Sequence, residues 1–166
     1  MSERLTTPEE AVCFKLGVAL TMERIVLEML VAFEERAQRE EVKHVLRRPA
    51  DEARLHLARV EKSFQLLGAE SECSACPAMS GLQLQAQATL ARADESLFDV
   101  VILAGAVEAE HYEIGVYETL VPSTEALGAS MAAHLLEENV EEERAALEAF
   151  KALAKRIVRE GSTFSV

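Results

Sequence analysis

The chain has 166 residues, 49% of them hydrophobic and 28% charged, with a formal net charge of −12. That length fits one core burying roughly 70% of the unfolded surface. The absence of Trp, the few Gly and Pro, and the surplus of Ala, Leu, Glu and Arg read as all-α. The acidic balance excludes nucleic acid and anionic membrane as main partners, since both select basic surface, and leaves cations as natural ligands.

Residues 1–7 are polar, and the apolar residues that follow are helically spaced and interrupted by Lys15, Glu23 and Arg24. No leader segment and no membrane-spanning run is therefore expected, and the cytoplasm is the expected location. Cys13, Cys73 and Cys76 are too few and too odd in number for a secreted disulfide framework. One domain over residues 1–160 is expected, with 161–166 a frayed tail.

Thr7, followed by Pro8, Glu9 and Glu10, is a helix start: a hydroxyl N-cap, Pro at the first helical position and acids in the first turn. This helix should run to about residue 38, with an inward stripe of Leu16, Ala19, Leu20, Val26, Leu27, Leu30 and Phe33 interrupted at its centre by Glu23. A second helix is expected over about 40–67, closed by Gly68, with the stripe Leu46, Ala50, Ala53, Leu57, Val60, Phe64 and Leu67. Glu52 and His56 lie four apart on its flank and can point at one spot. Pro49 should kink this helix or split it near Asp51.

Residues 69–80 read as a break rich in small and turn-forming residues, and 81–92 as a short helix. Together they form a crossover long enough to carry the chain from one end of a helix bundle to the other. A third long helix is expected over 94–121, stopped by Pro122, with Leu103, Val107, Ile114, Tyr117 and Val121 inward and Glu110 interrupting them. His111 and Glu113 stand beside Glu110. The last helix should span about 130–159, with Leu135, Leu136, Val140, Leu147, Phe150, Leu153 and Ile157 apolar and Glu138 and Glu142 spaced by four.

A carboxylate facing a bundle core costs several kcal/mol unless it is neutralised, paired or bound to metal. Here each long helix offers carboxylate or imidazole near its midpoint, and the two halves match: Glu23 with Glu52 and His56, then Glu110 with Glu138 and Glu142. Four long helices with a central crossover and such groups make the pattern of a di-metal carboxylate bundle. Carboxylates bridge and neutralise two Fe or Mn ions, and imidazole adds terminal coordination. Glu108, Glu118, Glu137, Glu141 and Glu143 are assigned to the surface or to a role supporting the ligands, although Glu113 and Glu143 each replace a neighbour if a helix is rotated. Cys73-x-x-Cys76 lacks the further ligands of a closed zinc site and reads as a structural or incidental loop, with a regulatory disulfide as the lesser alternative.

Several segments carry a family resemblance. Glu110-His111-Tyr112-Glu113-Ile114 with Tyr117, residues 135–143, residues 60–68 and residues 76–82 resemble the YciE/YciF-type ferritin-like proteins, a bacterial stress-associated family. The likeness covers about residues 9–154. It implies a ferritin-like four-helix bundle, commonly a dimer, with a rubrerythrin-like di-iron or di-manganese site whose ligand places fall on Glu23, Glu52, His56, Glu110, Glu138 and Glu142. Departures are Pro49 where relatives often have His, Asn139 where they have Thr, and Leu147 where they have an acid.

The favoured expectation is a homodimeric, stress-related, metal-binding bundle whose centre reduces peroxide or oxidises Fe(II), with peroxide or dioxygen as small partners; turnover is less supported than binding. A non-catalytic dimeric interaction protein with a degenerate or empty site is the alternative. Storage of mineral in a cage ranks last, because no cage-closing surface is evident.

Overall fold

The structure, a computed structural model, describes residues 4–162 and contains five α-helices, one 3-10 turn and no strand among them. These are α1 (Pro8–Arg36), α2 (Glu40–Leu66), α3 (Pro77–Arg92), α4 (Phe98–Ala126) and α5 (Ser130–Ser162), with the 3-10 turn at Glu95–Leu97. Helix α1 starts on the expected capping box: Thr7 Oγ1 accepts the Glu10 amide at 3.1 Å and the Glu10 carboxylate accepts the Thr7 amide at 3.2 Å. Gly68 and Gly128, at φ of 70° and 78°, end α2 and α4 in the left-handed conformation that glycine adopts freely. Helix α5 continues through Gly161 to Ser162, and the rest of the expected tail, residues 163–166, lies outside the described residues.

Three expected boundaries are corrected. Helix α2 is one continuous element through Pro49, whose ring is buried among apolar neighbours, so the proline neither splits it nor starts a new helix at Asp51. Pro122 does not stop α4, which runs on to Ala126; the Ser123 hydroxyl donates to the Thr119 carbonyl at 2.7 Å beside the missing proline donor. Helix α3 begins at Pro77 rather than at residue 81, because proline at the first helical position needs no amide partner.

The long helices pack pairwise, α1 on α2 and α4, and α5 on α4 and α2, while α3 lies against α1 and α4. Short turns make α1/α2 and α4/α5 antiparallel. Helices α2 and α4 then run the same way, so the chain must return along the whole molecule between them. The sixteen residues of α3, about 24 Å of helix, provide most of that return.

The core follows a seven-residue repeat with alternating steps of four and three. It reads Val12, Leu16, Ala19, Glu23, Val26, Leu30 and Phe33 on α1, and Val42, Leu46, Pro49, Ala53, His56 and Val60 on α2. On α4 it reads Leu103, Ala106, Glu110, Glu113, Tyr117 and Leu120, and on α5 Leu136, Asn139, Glu143, Ala146, Phe150, Leu153 and Ile157. This is the knobs-into-holes register of packed helices, with polar groups replacing knobs at one height.

Two close approaches position the crossover. A Cβ on Gly17 would meet the Glu72 carbonyl at 2.5 Å and the Ser74 amide at 2.9 Å, and one on Gly105 would meet the Phe33 ring of α1 at 3.0 Å and the Ala86 Cβ of α3 at 3.3 Å. Asp99 at the start of α4 is buried and accepts the Gln38 and Arg39 amides at 2.8 and 3.2 Å. It thereby caps α2, whose own N-cap residue Arg39 supplies no side-chain bond. The expected contrast is that Gly17→Ala destabilises by about 1–3 kcal/mol through overpacking. Gly115→Ala, on an exposed face with nothing near its Cβ, should stabilise by about 0.5–1 kcal/mol through helix propensity. Urea unfolding of the two variants measures both.

Candidate metal centre

The polar positions of the four core stripes meet at mid-height. Glu23, His56, Glu110, Glu113 and Glu143 are all buried. Ligand atoms of Glu23, His56 and Glu143 lie within 4.8 Å of one another, as do those of Glu110, Glu113 and Glu143, so Glu143 is common to two triads. His56 Nε2 is 2.8 Å from Glu142 Oε2, and its Nδ1 is 2.8 Å from Glu143 Oε1 and 3.4 Å from Glu23 Oε1. The Nδ1 contacts are too far out of line to be hydrogen bonds.

Relief comes from one side. The Tyr117 hydroxyl donates to Glu23 Oε1 in a short bond, Asn139 Nδ2 donates to that hydroxyl at 3.1 Å, and Arg59 Nη1 donates to Asn139 Oδ1 at 3.1 Å. Arg59 also pairs with Glu142 at 2.7 Å and with Glu138 at 3.0 Å. No comparable partner reaches Glu110 Oε2, either oxygen of Glu113, or Glu23 Oε2, all of them buried without a hydrogen bond.

The electrostatics follow from this. Burial first, and then Glu143, push the Glu110 and Glu113 carboxyls well above the ordinary range. Burial likewise raises Glu23, with His56 opposing. For His56 burial acts downward, but Glu143 and Glu23 overcome it and the imidazole is pushed up to about 11. Burial would raise Glu142, yet Arg59 and His56 hold it low.

Of the six residues expected at the site, Glu23, His56 and Glu110 lie in the buried cluster. Glu142 touches it through His56 Nε2 but is mainly engaged by Arg59. Glu52, its side chain 14% exposed, pairs with Arg48 at 2.7 Å. Glu138, with 41% of its side chain exposed, faces Arg59 and His134 and does not join the cluster. Glu113 and Glu143 stand inside it instead, while His111 is exposed. The signal for both is the four-and-three repeat: on α5 it selects Glu143 between Asn139 and Ala146, one residue out of phase with Glu142. Val140 and Leu147 broaden that apolar stripe and hid the phase.

Four carboxylates and one imidazole, several oxygens of which lack partners, form a donor set that fits a divalent transition metal: hard oxygens with one borderline nitrogen. Fold and cluster together define an all-α protein with a buried carboxylate and imidazole site able to hold metal. The comparisons give its kin. The family described as a domain of unknown function, DUF892, matches residues 7–163, and the chain belongs to that family. Protein YciF of Escherichia coli is 36% identical over 91 residues, a match covering 52% of this chain and 55% of that protein, so the chain spans about half the length of this curated relative.

Among solved structures, YcfI from Rhodopseudomonas palustris is 29% identical with a TM-score of 0.86, covering 91% of this chain and 97% of its own. The E. coli stress protein YciF is 25% identical with a TM-score of 0.87, covering 93% and 99%. A Xanthomonas campestris protein at 23% identity and a TM-score of 0.72, covering 92% and 94%, shares the fold alone.

Metal-free protein should show an inverted pH response. Glu23, Glu110 and Glu113 bind protons more tightly folded than unfolded, so the stability they add is complete below the ordinary carboxyl range and is lost as pH rises through their folded values. The His56 contribution is complete below about 6.5 and is lost only on approach to about 11. Glu142 works the other way, but only as pH falls below the ordinary carboxylate range. Scanning calorimetry of the apo protein should therefore give a higher melting temperature at about pH 5.5 than at about pH 8; the reverse order would show these carboxyls ionised and compensated.

Proposed function

We propose that this protein is a ferritin-like four-helix bundle, with α3 riding on its crossover, that binds Fe or Mn ions at the cluster of Glu23, His56, Glu110, Glu113 and Glu143. The observation carrying this reading is the set of buried carboxylate oxygens without partners, shared between two triads that meet on Glu143. Two cations at this point would neutralise charges that the single imidazole leaves uncompensated. Bound Fe or Mn would supply redox and Lewis-acid chemistry toward peroxide or dioxygen.

The residues of this chain have distinct tasks. Glu143 lies where one carboxylate serves both halves of the site. Tyr117, held by Asn139, fixes the orientation of Glu23, and Glu142 with Arg59 fixes the ring of His56 from its Nε2 side. Packed apolar layers above and below, among them Leu16, Leu46, Leu103 and Phe150, keep bulk water from the cluster.

A stress-related role accords with the description of YciF as a stress protein. The one-domain, homodimeric and cytoplasmic parts of the reading rest on chain length, on the YciE/YciF-type resemblance and on three free cysteines suited to a reducing compartment. The six-ligand set with Glu52, Glu138 and Glu142 is superseded in this reading by the buried five, because Glu52 and Glu138 are drawn off by Arg48 and Arg59.

Elemental analysis after anaerobic loading with Fe(II) or Mn(II) tests the proposal. Wild type should retain up to about two ions per chain, Glu143→Ala should lose most of them, and Glu138→Ala should keep them; wild type retaining almost none overturns it. In the apo state Glu113→Leu should raise stability by about 1–3 kcal/mol, because it removes a desolvated acid without partners. Chemical denaturation in chelator reads that change.

A further inference from the structure

The Cys73-x-x-Cys76 motif stands apart from the buried cluster, and its two sulfurs have different surroundings. Cys73 is exposed, and Arg24 of α1 donates to its Sγ from Nη1 at 2.9 Å. Cys76 is buried at the N-cap of α3, its Sγ 3.5 Å from the Tyr112 hydroxyl of α4. An exposed thiol beside a guanidinium, with a second thiol close in sequence, is the arrangement in which a peroxide oxidises the first sulfur and the second resolves the product. Cys13 is placed otherwise: it is half-buried, and burial and then the charge of Glu9 push its thiol up, which disfavours attack.

The loop holds the two sulfurs apart. Residues 71–76 take no turn or bend. At extended spacing, Cα atoms three residues apart are separated by about 10 Å, whereas a disulfide needs about 7 Å or less. Packing on α1 maintains this spacing. The Glu72 carbonyl and the Ser74 amide, on either side of Cys73 in the chain, lie where even a Cβ on Gly17 would strike them. Pro77 fixes the start of α3. A turn joining the sulfurs therefore has to form within residues 73–76, drawing Cys73 away from Arg24 and Ser74 away from Gly17.

We propose that Cys73 and Cys76 are a peroxide-sensing pair whose oxidation releases the start of the crossover from α1. The Cys73 sulfur attacks one oxygen of a hydroperoxide: an S–O bond forms, the O–O bond breaks, and the thiol proton goes to the departing oxygen, giving an alcohol or water. Cys76 Sγ then attacks Cys73 Sγ: an S–S bond forms, the S–O bond breaks, and the hydroxyl leaves as water with the Cys76 proton. Two electrons pass from the thiols to the hydroperoxide. No metal takes part, so the pair stands independently of the metal-binding reading above.

Peroxide titration of the reduced full-length chain in chelator is the test. One equivalent of hydrogen peroxide should consume Cys73 and Cys76, lower the mass by two hydrogens without joining chains, leave Cys13 open to alkylation, and speed amide exchange over residues 72–76. Cys76→Ser should stop at a sulfenic acid on Cys73 that dimedone traps. Cys73→Ser, which alters only an exposed side chain, should keep its remaining thiols at the same dose. Arg24→Gln should slow the first step several-fold. Prior oxidation of Cys13, a disulfide between chains, a full thiol count after peroxide, or amide exchange that the disulfide leaves unchanged overturns the proposal.

Discussion

The desolvation of four carboxylates at one height is the constraint on which the rest of this structure depends. An acid in a packed helical core costs several kcal/mol when unpaired, and like charges beside it add to the cost. Glu23, Glu110, Glu113 and Glu143 incur that cost together, with His56 as the one cation of the buried layer. Above and below them the stripes are ordinary Leu, Val, Ile, Met and Phe, which supply the burial that holds the fold. The molecule is thus a stable apolar frame with an unstable polar layer in its middle.

Compensation within that layer is uneven. On the α2–α5 side a continuous chain runs from Arg59 through Asn139 and Tyr117 to Glu23, and from Arg59 through Glu142 to His56. On α4, Glu110 and Glu113 receive no comparable bond, and their protons are held tightly as a result. A protein selected only for stability would replace these two acids by leucine. Their presence is understandable if a cation makes them favourable.

The topology makes this convergence possible. Because α2 and α4 run in the same direction, the chain must climb the whole length of the molecule before α4 begins, and it does so through the coil 67–76 and α3. Gly17 and Gly105 allow the climb to press closely against α1 and α4, and Asp99 ties the foot of α4 to the α1–α2 turn. These contacts set the height at which Glu110 and Glu113 face Glu23 and His56. A shift of α4 by one turn would replace one of these glutamates in the layer by Ala106 or Tyr117.

Local signals determined much of this. Thr7, Pro8 and Glu10 set the start of α1, Gly68 and Gly128 mark the ends of α2 and α4, and helical spacing alone exposes Glu23 and Glu110 as acids in apolar stripes, because caps, left-handed glycines and periodicity act within a few residues. The family resemblance read from residues 110–117 and the other motif segments is borne out by the family match over residues 7–163. Tertiary packing decided the rest. It carried α2 through Pro49, where burial on both sides outweighs one lost backbone bond, and α4 through Pro122, beyond which the Ser123 hydroxyl binds the Thr119 carbonyl and Thr124 is buried. It also buried Glu113 and Glu143 and left Glu138 and Glu142 partly exposed, because a stripe wide enough for two phases leaves a one-residue ambiguity of about 100° that only the neighbouring helices resolve.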